Sequence, residues 1–152
     1  MSEQLTVQEW HKKQAIENFN GTWDLIDKTD RSEEEAIQMI HKAHASRFHW
    51  GEVGGPKQLA TGEWQISRVY ALVGQAQSAL LHGQAGLRFC EEGSLTPFDY
   101  GFAYEAIARA YHMLGDTEQR DQFILKGKDV AAKIESEDDR SYYVSELESI
   151  LK

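Results

Sequence analysis

The chain has 152 residues, 25 acidic against 16 basic for a formal charge of −9, with fifteen alanines, two prolines and one cysteine, a length that suits a single domain spanning residues 1–152. A lone cysteine excludes a disulfide framework and any multi-cysteine zinc module. The acidic balance argues against a nucleic-acid partner, and no apolar run approaches the roughly 20 residues of a membrane span. The opening MSEQLTVQEW lacks the basic start and apolar stretch of a secretory signal, so the expected compartment is the cytoplasm, with no membrane partner.

Apolar spacing is helical along nearly the whole chain. Thr6 followed by Glu9 reads as a capping box, and Ile16, Phe19, Trp23 and Ile26 mark one face of a first helix over about 7–28. Ser32 with Glu35 starts a second, in which Ala36, Ile40, Ala43 and Phe48 are expected inward, to about residue 51. GEVGGP breaks it. Pro56 suits the first turn of a third helix, which runs to Val73 before the stop at Gly74. A fourth covers about 76–91 with Ala79, Gly83, Leu87 and Cys90 on one face. Thr96 and Pro97 open a fifth that ends at Gly115. Asp116 or Thr117 caps a sixth, and Ser136 starts a last one using Tyr143, Leu147 and Ile150. No period-two strand is evident. Most of the four tryptophans, all between residues 10 and 64, are expected in the core, with Trp50 exposed near a turn.

The string ISRVYALVG at 66–74 lines up with IARAYHMLG at 107–115, an offset of 41 that superposes Ile66 on Ile107, Arg68 on Arg109, Tyr70 on Tyr111 and Gly74 on Gly115. Each string leads into a helix with small residues inward. Such a unit cannot bury its own face, and stacking the units makes a continuous core.

Here the chain resembles the tetratricopeptide-repeat family. The best match is 101–134, where Tyr104 falls at the first aromatic position, Ile107 and Ala108 at Leu-Gly, and Tyr111 at Tyr. Gly115 falls at the turn and Gly127 at the second alanine, while Arg120 departs from the first alanine. Residues 60–93 match less fully, because Glu63 replaces the aromatic. Residues 16–50 fit as a degenerate first unit. The strings HASRFHWG, GEWQISRVY and FAYEAIARAY are similar to those of small bacterial tetratricopeptide-like proteins. The resemblance implies an all-α, antiparallel helical array of two to three helix-turn-helix units, about seven helices, closed by a capping helix at 137–151. The period of 41 exceeds the usual 34 or so, so helices or loops are expected to be longer.

The family's inner helices line a concave groove, and its groove positions carry over to Trp64, Arg68, Glu105, Arg109 and His112. Arg47 sits in a similar string. Three arginines on an acidic chain suggest a site for an anionic group, since a guanidinium is a fixed fork for carboxylate or phosphate. A plainer reading stands beside it. Glu105 and Arg109 pair along their own helix for about 0.2–0.5 kcal/mol, and Arg68 stacks on Trp64.

His41 and His44 lie three apart. A hairpin around Gly54 would set His44 opposite Glu63, a candidate zinc or iron set of His41, His44 and Glu63. Cys90 reads as a small hydrophobe. No nucleophile elbow, phosphate loop or dinucleotide fingerprint occurs, and no cofactor is expected. The expected function is a non-catalytic binding or scaffold module holding a peptide, a protein segment or a small anionic molecule. The alternatives are a small metalloenzyme using His44 and Glu63, and a self-associating homo-oligomer whose groove takes its own C-terminal helix.

Overall fold

A computed structural model describes residues 4–152. It contains seven helices and, among the described residues, no strand: α1 (Val7–Ile26), α2 (Glu33–Val53), α3 (Pro56–Leu72), α4 (Ala76–Gly93), α5 (Pro97–Leu114), α6 (Thr117–Ala131) and α7 (Glu137–Glu148). A 3-10 turn, Ser149–Leu151, extends α7. No described helix is long and apolar enough to cross a membrane.

The helix starts follow from local chemistry. Thr6 Oγ1 accepts from the Glu9 N–H at 3.0 Å while Glu9 Oε1 accepts from the Thr6 N–H at 3.0 Å, and Ser32 with Glu35 repeats the exchange. Pro56 and Pro97 open α3 and α5, where a missing N–H costs nothing. Gly74 and Gly115 close those helices at φ +80° and +77°, a left-handed conformation that a Cβ disfavours. The offset of 41 therefore holds from the opening proline through the closing glycine, and on to the next helix start at Ala76 and Thr117. The long period lies in the helices, since α3, α4 and α5 have 17, 18 and 18 residues.

Neighbouring helices pack as antiparallel pairs, α1 with α2, α3 with α4 and α5 with α6. α3 also reaches α1 and α5, so α1, α3 and α5 form an inner row, and α7 docks on α5 and α6. The core is three clusters. Met39 and Ala43 meet Ile66 and Val69; Ala60, Cys90 and Ala103 form the middle one; Ala108, Ile124, Tyr143 and Leu147 anchor the last. Close approach needs small residues. A Cβ on Gly83 would lie 3.2 Å from Ile107 Cγ1. Tyr143, fully buried, fills the space left by two glycines: a Cβ would sit 2.8 Å from its ring at Gly101 and 2.5 Å from its hydroxyl at Gly127.

Two expectations about the core are corrected. Phe48 is 60% exposed. The buried stripe of α2 is Met39, Ala43 and Ser46, because the seam with α1 is closed by small groups and Ser46 Oγ donates to the Ala15 carbonyl at 2.8 Å. A phenylalanine has no room there. The tryptophans are not core either. Trp10 is exposed, and Trp23, Trp50 and Trp64 are half-buried and line a groove.

Candidate functional site

The inner row bounds an apolar cavity of about 270 Å³. α1 contributes Phe19 and Trp23, α3 contributes Ala60, Thr61 and Trp64, and α5 contributes Phe98, Phe102 and Ala103. Gly83, Gly86 and Cys90 of α4 form the floor, and Tyr142 of α7 reaches in from the C-terminal end. A second compartment of about 190 Å³, lined by Ile16, Trp50 and Gln58, shares Phe19, Lys57 and Thr61 with the first. The two lie side by side along the inner row and are together termed the groove. Its aromatic walls are mutually braced. Trp23 and Trp64 have centroids 5.7 Å apart, Phe102 stands edge-on to Trp64 at 5.4 Å, and Phe98 and Tyr142 flank Phe102.

Several polar side chains in the walls have partners within the fold. Lys57 pairs with Asp99, whose carboxylate also accepts from the Thr96 N–H and hydroxyl. Thr61 Oγ1 donates to the Lys57 carbonyl at 2.9 Å, and Gln58 Oε1 accepts from the Gly55 N–H at 2.9 Å. Burial, followed by the nearby Asp99 charge, pushes the Cys90 thiol up to about 12, so at neutral pH the floor presents no thiolate. At the rim, burial, followed by the Glu146 carboxylate, raises the Tyr142 hydroxyl above its ordinary range.

Behind the Trp64 wall lies a charged knot. Glu105 is 0% exposed, and its carboxylate accepts from Arg68 at 2.7 Å, Arg109 at 3.0 and 3.2 Å, and Trp64 Nε1 at 3.2 Å. Arg68 also reaches Glu146 at 2.9 Å, and its guanidinium lies over the Trp64 ring at 5.5 Å. Burial works against the Arg68 charge, but Glu105 and Glu146 together hold its pKa above the ordinary arginine value. Arg109 completes the knot on Ser149 Oγ at 2.7 Å and the Glu146 carbonyl.

Of the sequence-derived groove residues, Trp64, Arg68, Glu105 and Arg109 come together. Arg47 does not join them; it pairs with Glu63 at 3.2 Å and lies over the Phe89 ring. His112 is exposed and bonds to Arg120. The three arginines thus share no anion site, because protein carboxylates neutralise each of them.

The metal set is likewise rearranged. The imidazole on Glu63 is His82, at 2.6 Å; His44 bonds the Tyr70 hydroxyl at 2.8 Å, and His41 is exposed. Burial, then the neighbouring His82, lowers the His44 pKa, with Glu63 opposing. Among the described residues no group of three His, Cys, Asp or Glu side chains is placed to hold a metal.

The sequence reading missed Phe98, Phe102, Tyr142 and Lys57 as groove residues. The available signal was the aromatic pair spaced by four, Phe19/Trp23 on α1 and Phe98/Phe102 on α5. α7 contributes Tyr142 to the groove wall and packs the rest of its apolar face on α5 and α6.

Comparison with known proteins finds no matching family model, no matching curated protein and no matching solved structure.

Proposed function

We propose that the chain is a non-catalytic binding module of the tetratricopeptide-like kind, acting in the cytoplasm, that holds the apolar part of a ligand or partner segment in its concave groove. One observation carries this reading. Helices α1, α3, α4, α5 and α7 converge on an aromatic-walled cavity that is open to solvent. Catalysis gains no support from the groove, since its thiol is neutral and its one carboxylate, Asp99, is engaged in a helix cap and an ion pair.

The test uses N-phenyl-1-naphthylamine, a neutral apolar dye, and the variant Thr61→Phe. Thr61 lines both compartments and its hydroxyl bonds only its own helix. A phenyl ring there fills the groove without breaking an inter-helix contact. The dye should bind the parent with enhanced emission and bind the variant at least tenfold more weakly, at an unchanged melting temperature. Equal binding to both proteins refutes the groove as the site.

A further inference from the structure

We infer that the occupant of this groove is the alkyl chain of a single anionic amphiphile, a fatty-acid-like carboxylate, with its head group at Lys57. The inference rests on the binding-module reading and names the class of ligand.

The first argument is the dryness of the walls. An extended peptide brings one N–H and one C=O per residue, and burying these unpaired is costly. Acceptors for the N–H groups are few, because the Gln58 and Asp99 side-chain oxygens are engaged within the fold. A hydrocarbon chain needs none. The second argument is shape. Two half-open compartments of about 270 and 190 Å³ lie side by side, with Phe19, Lys57 and Thr61 in the walls of both. Together they hold roughly fifteen water-sized volumes at about 30 Å³ each. A methylene group is of similar bulk, so the groove suits a chain of ten to fifteen or so carbons.

The third argument is charge. Lys57 is the one basic side chain among the residues lining either compartment, and it lines both. Its ammonium has three donors and gives one to Asp99. Asp99 does not depend on that bond. It is nearly buried, held by the Thr96 N–H and hydroxyl, and placed in the first turn of α5, where the helix dipole favours a carboxylate. Lys57 is half exposed, so it can turn toward an anion while Asp99 stays in place. Arg47, Arg68 and Arg109 are far less exposed than Lys57, at 23%, 17% and 19% against 53%, and line neither compartment, so they do not compete for the head group.

The experiment is calorimetric titration of the full chain with octanoate, decanoate and dodecanoate below their micellar concentrations, beside dodecanol and dodecyltrimethylammonium. One carboxylate should bind per chain, tightening about fourfold per added methylene until the groove is full. Lys57→Ala should weaken dodecanoate at least fivefold and leave dodecanol unchanged. Thr61→Phe should abolish both. Equal affinity of parent and Lys57→Ala for dodecanoate, or tighter binding of dodecyltrimethylammonium, overturns the head-group assignment and with it the proposal. Sedimentation with phosphatidylglycerol vesicles but no uptake of dodecanoate would mean a membrane surface, and also overturns it. If the neutral dye binds and no alkyl carboxylate displaces it, the amphiphile proposal fails and the module reading survives. If neither binds, both fail.

Discussion

Replacing Glu105 by Gln keeps the shape of the side chain and removes the one anion shared by Arg68, Arg109 and Trp64. Breaking a buried pair from one side costs about 3–5 kcal/mol, because the orphaned charge stays buried. Here that figure must be reduced. The arginine side chains are 17% and 19% exposed, and both keep other partners: Arg68 retains Glu146, and Arg109 retains Ser149 and a backbone carbonyl. About 2–3 kcal/mol remains. For a domain of this size each kcal/mol moves the melting temperature by about 2–4 °C, so Glu105→Gln should melt roughly 4–12 °C lower. Urea unfolding followed by tryptophan emission gives the free energy, and a cycle with Arg68→Met gives the coupling, expected above about 0.5 kcal/mol. Glu146→Gln, at a partly exposed site with one arginine partner, should cost about 1 kcal/mol or less. If Glu105→Gln unfolds within about 0.5 kcal/mol of the parent, the knot does not hold these helices together, and the reasoning is wrong.

Gly127→Ala should destabilise by about 1–3 kcal/mol, because its Cβ meets the Tyr143 hydroxyl in a packed site. Tyr143→Phe removes a buried hydroxyl that has no partner, so it should be neutral or stabilising alone and should rescue much of the Gly127→Ala loss in chemical denaturation. Ser94, the one non-glycine at positive φ among the described residues, ends α4 at φ +47°; Ser94→Gly should raise stability by up to about 1 kcal/mol, read from the urea midpoint. His49 is lowered from its usual 6.5 by burial and then by His11, whose Nδ1 lies 2.8 Å from its own, and His44 is lowered too. The unfolded chain therefore takes up these protons first, so stability is full above about pH 6.5 and falls as pH drops below it. The window lies above that of Glu9 and Glu35, whose depressed pKa values act only below their usual 4.5. Melting at pH 7.5 and 5.5 should show the loss, and His49→Gln should shrink it; a flat profile in the parent contradicts the assignment.

Helix boundaries were legible because their causes are local. Thr6 with Glu9, Ser32 with Glu35, Pro56, Pro97, Gly74 and Gly115 each act within a turn or so of their own position. The repeat was legible for the same reason, since an equal offset needs no knowledge of contacts. Phe48 was misplaced because a periodic stripe does not say which small residues will let two helices close. The arginines were recognised as special, but not what they meet: Arg109 finds Glu105 one turn away, while Arg68 finds it 37 residues on, across two helices. His82 carried no motif, and its pairing with Glu63 exists only once α3 and α4 are apposed. The groove was hidden for the converse reason. Its aromatic residues look in sequence like core residues, and only the arrangement of five helices leaves them half-covered.

The knot around Glu105 also bears on how the chain comes apart. Arrays whose helices touch mainly their neighbours open piecewise, and their ends fray first. Here Arg68 and Arg109 fasten α3 and α5 to Glu146 and Ser149, so the final turn of the chain is tied to its middle. Amide exchange should therefore find α3, α5 and the C-terminal turn opening together as one cooperative unit. α1, joined to α3 by the Gln65 bond to the Phe19 carbonyl, should exchange ahead of them. The groove wall would then be lost in an order: the Phe19 and Trp23 side swings away while the Trp64 and Phe102 side still stands.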